Sequence, residues 1–366
     1  MKIIKHHSPM TTEKFIRRLL IWIFSALFVM AITFLAIRIG IVISEEKNQV
    51  DDKNTTSNHL NVLNWTSYIP REIIDNFEQE YHIKVNYGTY SSNEELLAKI
   101  SSSNTGTYDV IFPSDYMVSL LKTRGMLETL DLERLPNRTN LSSKFLNQPY
   151  DENNNYSLPF LLATTEILYN KKYITNIQSY HDLLNPKLNN NLVLLDDERI
   201  IIGATLLASG HGMNDTNETA LNDAFAFYNQ LRPNIKAFDS DSPKSFFITD
   251  EVEAGLVWNA EASLAMEENP DLVAVYPDEG FALSMDNYVI LKGSKNLNNA
   301  YLFINYLLRD DVSQKIVASY PYISPNLSSL NISDDEIDEI FAKGSYVENL
   351  DRDETKRLDQ LWAKYK

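Results

Sequence analysis

The sequence contains no cysteine, only 11 glycines and 13 prolines in 366 residues, and six histidines. Without thiols it has no disulfides, no thiolate metal site, no iron–sulfur cluster, no cysteine nucleophile and no thioether lipid anchor, so its stability must come from burial. The low glycine and proline content excludes collagen-like and linker-dominated chains. The histidines (6, 7, 59, 82, 181 and 211) form no H-x-x-x-H pair, so a zinc-protease site lacks its ligands. No G-x-x-x-x-G-K-[ST], G-x-G-x-x-G or G-x-S-x-G motif occurs, which leaves nucleotide cradles and a serine elbow unsupported. Gly210-His211-Gly212 reads as a helix C-cap. Basic charge is also scarce: the net charge of -17 argues against a nucleic-acid partner, which needs a clustered basic face.

What is present is apolar and aromatic. With 44% hydrophobic and 11% aromatic residues, the composition is that of a packed chain, and its length suits two lobes with full cores. The charge is uneven. Residues 1–43 carry six lysines and arginines against one glutamate, a net of +5, which leaves -22 for residues 44–366. Leu19 to Ile37 is uncharged and almost wholly apolar, and apolar character continues to Ile43. A helix over that run would span roughly 28 Å, close to a bilayer core. Lys14, Arg17 and Arg18 precede it, so positive-inside bias keeps residues 1–18 cytoplasmic and sends the acidic body outward. The run is long for a cleavable signal. The expectation is therefore a single-pass anchor in the cell membrane over 19–43, a flexible polar stalk over 44–58, and an extracytoplasmic body from His59.

In the body, Leu60 and Val62 alternate as a strand, and Pro70 opens a helix with Ile73, Ile74, Phe77 and Tyr81 on one stripe. Ile83, Val85 and Tyr87 form a second strand, followed by a helix from Asn93; Tyr108 to Phe112 form a third, followed by a helix ending near Gly125. A second series starts near residue 166: strand Leu192 to Leu195, a helix from Ile200, a helix near 218–231, strand Gly255 to Trp258, a helix at Ala260, strands Leu272 to Tyr276 and Tyr288 to Leu291, then mainly helix. Strand–helix alternation predicts α/β sheets with helices on both faces, in two lobes with a cleft between them. Ligands of such sheets sit beyond the carboxyl ends of the strands.

Those ends carry Trp65, Tyr68, Tyr90, Tyr116 and Trp258 together with Asp197 and Asp286. Each ring alone reads as a core or rim aromatic. Together with carboxylates they suit an elongated cation such as a polyamine, since rings cover methylenes and attract ammonium groups. Other acidic groups, Glu267-Glu268, Asp334-Asp335-Glu336 and Asp351-Arg352-Asp353-Glu354, read as helix starts and solvated faces. Asp239 and Asp241 are followed by Ser-Pro, which breaks a calcium-loop pattern.

From Leu60 to at least Asn326 the chain resembles the polyamine-binding (spermidine/putrescine) periplasmic-type proteins of ABC importers. The resemblance is carried in order by Asn64-Trp65-Thr66-Ser67-Tyr68, Ser92-Asn93-Glu94, Tyr108-Asp109-Val110, Pro113-Ser114-Asp115-Tyr116, Asp196-Asp197-Glu198-Arg199 and Trp258-Asn259-Ala260-Glu261-Ala262. Met285-Asp286-Asn287, Phe303 to Arg309 and Tyr322-Ile323-Ser324-Pro325-Asn326 continue it. The resemblance implies a type II periplasmic binding protein fold, with discontinuous lobes over 59–164 plus 286–333 and 165–285 plus 334–366. It implies that Trp65, Tyr68, Tyr116, Trp258 and Tyr322 wall the ligand, that Thr66 and Ser114 offer hydroxyls, and that Asp197 and Asp286 anchor amines with assistance from Glu261. Helix N-capping is the alternative role for Ser114, Asp115, Asp197 and Glu198. Permease and ATPase subunits are the implied partners; the protein itself would be a monomer without cofactor, metal or catalytic residue. Three positions depart from the family pattern: Ser67 and Ile200 stand where acids are usual, and Ser284 where an aromatic is usual. Fewer ammonium partners imply a ligand with fewer charges, weaker binding, or a different small cationic or polar ligand. Two other classes stay open: a surface hydrolase using two cleft carboxylates, and a sensor or adhesin without an importer.

Overall fold

Pro70, with φ of -58°, sets the chain direction into the first helix, and His82, left-handed at φ 56°, ends it; between them Ile73, Ile74 and Phe77 are buried on one stripe. That helix, α1 (Arg71–Tyr81), follows β1 (His59–Trp65), and the pattern repeats with β2 (Lys84–Tyr90), α2 (Asn93–Ser102), β3 (Val110–Ile111) and α3 (Asp115–Thr123). The computed structural model describes residues 58–366. The predicted cytoplasmic segment, the span over 19–43 and all but the last residue of the predicted stalk lie outside the described residues. Among the described residues, no helix is long and apolar enough to cross a membrane.

β1 lies between β2 and β3, parallel to both, with Leu60 opposite Val85 and Val62 opposite Val110. β4 (Ser157–Asn170) is followed by β5 (Leu192–Leu194), α4 (Glu198–Ala208), α5 (Glu218–Leu231), β6 (Ile235–Phe238), α6 (Lys244–Ile248), β7 (Ala254–Trp258) and α7 (Asn259–Glu268). After β8 (Leu272–Val275) and β9 (Phe281–Ile290) come α8 (Leu297–Leu307), α9 (Asp310–Ser319), α10 (Asp334–Lys343), β10 (Gly344–Tyr346) and α11 (Arg352–Tyr365). The strands run in the order β2-β1-β3-β9-β4-β7-β5-β6, with β8 on β4 and β10 on β9.

Two strands make this a two-lobed α/β fold. Over Ser157–Thr164, β4 pairs antiparallel with β9, which pairs antiparallel with β3 of the first lobe. Over Thr165–Asn170 the same β4 pairs with β7 and β8 of the second. The parallel units of each lobe, β1–β3 and β5–β7, are thus joined through antiparallel crossover strands. The sequence reading placed a start near residue 166 and missed the first half of β4, because Ser157–Asn170 lacks alternation: all but Glu166 is buried, on both faces. It also began β9 at Tyr288, seven residues late.

Each lobe has its own apolar core. In the first, Leu60, Val62, Ile73, Phe77, Phe303 and Ile304 pack together; in the second, Ile167, Leu192, Ile201, Ala224, Tyr228 and Leu358 do so. Burying each large side chain contributes about 1.5–3 kcal/mol, which replaces the cross-links this chain lacks. α11 closes the second core: the Tyr365 ring stacks on Tyr228 at 3.7 Å between centroids, and its hydroxyl lies 2.9 Å from Thr205 Oγ1.

Candidate functional site

Parallel strands end on the same side, so the turns after β1, β2 and β3 share one rim and those after β5, β6 and β7 another. The first rim begins with Trp65, whose Nε1 donates to the Phe112 carbonyl at 2.9 Å. The Tyr90 hydroxyl donates to the same carbonyl at 2.7 Å, and the two rings lie 4.8 Å apart. Tyr90 is buried, so it backs the wall and holds Trp65 in place. Thr66 and Ser67 are exposed at the turn, with Ser67 in the left-handed region at φ 59°. Tyr68 follows, 6.2 Å from Trp65 and stacked on Tyr322 at 4.9 Å.

Asp286 lies behind these rings on β9. It is 1% exposed, and Ser114 Oγ donates to its Oδ1 at 2.7 Å. Ser114 precedes α3 without capping it, so its hydroxyl serves Asp286 instead of the helix. Burial pushes the Asp286 carboxyl up to about 7, opposed first by the Ser114 hydroxyl and then by the polar groups of Tyr68 and Trp65 nearby. The neighbouring Asp115, equally buried, is likewise raised to about 7 by burial, opposed by amide donors that include Met285 N at 2.9 Å and Tyr116 N at 2.6 Å. Among the described residues neither acid forms an ion pair. A buried carboxylate without a cation carries an unrepaid desolvation cost.

Tyr116, on the first turn of α3, reaches toward the other lobe. It packs against both the third apolar cluster, around Leu63 and Met117, and the second-lobe core. Its hydroxyl donates to Glu94 Oε1 at 3.0 Å, and burial, then Glu94 and Asp197, push its pKa well up. Asp197 caps α4 through Oδ1, which accepts from Ile200 N at 3.1 Å. Burial raises its pKa and the Glu94 charge adds to this, while Arg199 opposes it. Of the two roles expected for Asp197, the structure shows the helix cap, which occupies one oxygen. Trp258, at the end of β7, packs against the cores of both lobes.

Glu261 meets a partner the sequence reading did not anticipate. Lys244 Nζ, on the first turn of α6, lies 2.9 Å from Glu261 Oε1 and 3.1 Å from Oε2. Of the three unusual positions, Ile200 is buried in the second-lobe core, Ser284 pairs with Ala163 across β9 and β4, and Ser67 is exposed. The sequence offers no signal for Lys244, which lies next to no predicted aromatic, and its Glu261 partner marks it only once the chain is folded. Arg199, one of the residues that carry the resemblance, donates to Asn214 Oδ1 and to the Glu348 carbonyl. The structure thus gathers Trp65, Tyr68, Ser114, Asp286 and Tyr322 on one side, brings Tyr116 within electrostatic reach of Asp197, and sets Trp258 between the cores. Aromatic faces around buried, unpaired carboxylates form an environment selective for organic cations.

Residues 72–342 match the family described as bacterial extracellular solute-binding protein. The chain is similar to the spermidine/putrescine-binding periplasmic protein of Salmonella typhimurium, 36% identical over 280 residues covering 76% of this chain and 80% of the relative. It is similar to the putrescine/cadaverine-binding protein of Pseudomonas aeruginosa, 28% identical over 340 residues, covering 85% and 94% respectively. Among solved structures it is similar to the spermidine/putrescine ABC transporter substrate-binding protein of Streptococcus pneumoniae, with a TM-score of 0.72, 30% identity, and coverage of 84% of this chain and 98% of that one.

Proposed function

Because the chain belongs to the bacterial extracellular solute-binding proteins, we propose that it is the substrate-binding subunit of an ABC importer and captures a polyamine between its two lobes. The observation that carries this reading is Asp286: a carboxylate 1% exposed, without an ion pair among the described residues, behind the rings of Trp65, Tyr68 and Tyr322. A protonated amine seated there offsets the desolvation cost the fold has left in place. Asp197 anchors the second amine from the other rim through the oxygen that does not cap α4, and Tyr116 and Trp258 cover the methylenes. Thr66 offers its hydroxyl at the rim, and Ser114 orients Asp286. The ligand's contacts with both rims favour the closed arrangement, which the permease and ATPase subunits then read.

The lobes divide as 59–164 plus 286–333 and 165–285 plus 334–366, with β4 and β9 as the crossover strands. Residues 19–43 anchor the chain, with 1–18 cytoplasmic and 44–58 as a stalk, and the protein works as a monomer. Calorimetric titration of the full-length chain with putrescine, cadaverine, spermidine and spermine, at low and physiological salt, tests the reading. Saturable micromolar or tighter binding to one of them is expected; a folded chain that binds none would refute it. Membrane fractionation checks the anchor: a chain lacking residues 19–43 is expected in the soluble fraction and the intact chain with the membrane.

A further inference from the structure

The rim of the second lobe carries a cation of its own. β6 runs parallel to β5, so the turn that follows it emerges beside the turn bearing Asp197. This turn is built to be rigid: Asp239 Oδ1 accepts from the amides of Asp241 at 2.9 Å and Ser242 at 2.8 Å, and Pro243 leads directly into α6. Lys244 is the first residue of that helix, and its ammonium bridges both oxygens of Glu261. Neither side chain is freely solvated, at 27% exposed for Lys244 and 13% for Glu261. Glu261 stands on the first turn of α7, three residues beyond Trp258, and parallel β5 and β7 bring that turn to the same rim as Asp197.

We propose that Lys244 is a specificity-determining residue: a tethered ammonium that occupies the Glu261 carboxylate and limits the site to ligands with two positive charges. The inference rests on the polyamine reading above. Charge counting supports it. Among the described residues Asp197 on one rim and Asp286 on the other form no ion pair, and the Arg199 guanidinium donates to Asn214 and to the Glu348 carbonyl, whereas Glu261 has both oxygens engaged. Asp115 has both oxygens engaged by the amides of Tyr116 and Met285, so a diamine finds two anchors. The third ammonium of a triamine finds Glu261 taken and the like charge of Lys244 beside it, which is a repulsive element of specificity. The rigid turn holds Lys244 in place, so little ordering is lost on pairing.

The test compares putrescine and spermidine by calorimetry on the full-length chain. Lys244→Met keeps the aliphatic stem and removes the charge; it is expected to improve spermidine binding relative to putrescine by about tenfold, the change one charge-assisted hydrogen bond makes. Lys244→Gln, which keeps a polar contact to Glu261 and guards against misfolding of the first variant, is expected to shift the ratio in the same direction. Glu261→Gln leaves the Lys244 ammonium uncompensated and is expected to weaken spermidine more than putrescine, and the double variant Lys244→Met/Glu261→Gln should return the ratio to that of the wild type. An unchanged ratio in a Lys244 variant that still binds both ligands overturns this inference and leaves the polyamine reading standing. A wild-type chain that binds no polyamine overturns both.

Discussion

Replacing Asp286 with asparagine separates a binding carboxylate from a structural one, because the two roles predict opposite effects on stability. The side chain is 1% exposed and its carboxyl is raised from 3.8 to about 7 by burial. Between those values the folded chain retains a proton that the unfolded chain has released. The folded state binds more protons, so stability falls as pH rises from about 4 to about 7 and stays low above it. The gap corresponds to roughly 4 kcal/mol at full ionisation. Asp286→Asn keeps an acceptor for the Ser114 hydroxyl and removes the charge, so at pH 8 the ligand-free variant should melt a few degrees above the wild type. Asp115, raised to about 7 by burial, remains in the variant, so the slope between pH 4 and 7 flattens without vanishing. Binding moves the other way. Losing one partner of a buried charge pair costs about 2–5 kcal/mol, so putrescine affinity should fall at least ~30-fold. The wild type should bind more tightly as pH rises from 6 to 8, since Asp286 ionises while the ligand amines stay protonated, and the variant should lose most of that dependence. Thermal melts and titrations over the same pH range check both. A variant that melts lower and binds normally would refute the reasoning, because Asp286 would then be a structural acid.

Trp258 packs against both cores, so Trp258→Ala is expected to lower the melting temperature and to weaken polyamine binding at least tenfold, read in the same melts and titrations. Tyr365 is 1% exposed and stacked on Tyr228, and Tyr365→Ala should cost about 3–5 kcal/mol of unfolding free energy in denaturant titration, with polyamine affinity close to wild type in the folded fraction. Gly255 has no room for a side chain: an added Cβ would lie 2.4 Å from the Val193 carbonyl and 2.7 Å from Val193 Cγ1. Gly255→Ala should therefore destabilise the β5–β7 pairing by about 1–3 kcal/mol, and a variant melting at the wild-type temperature would show that the two strands can part.

The parts of the fold that the sequence announced are those whose signals are local. The α1 stripe of Ile73, Ile74 and Phe77, the start of α2 at Asn93, where Ser92 Oγ accepts from Glu95 N, and the helix over Glu218–Leu231 each reside within about four helical turns. The crossover strands are different. β4 is buried on both faces along nearly its whole length, so it loses the alternation that marks a half-buried strand, and Pro159 sits inside it beside a register shift against β9. Its role is set by partners far along the chain, β9 for one half and β7 for the other, which no window of sequence contains.

The site divides in the same way. Its rings were legible because strand ends place Trp65, Tyr68, Tyr116 and Trp258 at the rims whatever else the chain does. The state of its carboxylates was not, since that depends on which neighbours the fold supplies. With 50 acidic residues in the chain, an aspartate or glutamate near a predicted turn is weak evidence by itself. Folding then treats three such acids differently. Asp286 takes a hydroxyl donor 172 positions away and, among the described residues, no counter-charge; Asp197 commits one oxygen to the start of α4, and Glu261 gives both oxygens to Lys244. A buried acid without a cation carries a cost that an ammonium can offset, whereas an acid already paired offers an incoming ammonium little unless its partner is displaced. Which amines this cleft admits therefore follows from how its acids are partnered, and Lys244, a residue with no aromatic or acidic signature of its own, decides it for Glu261.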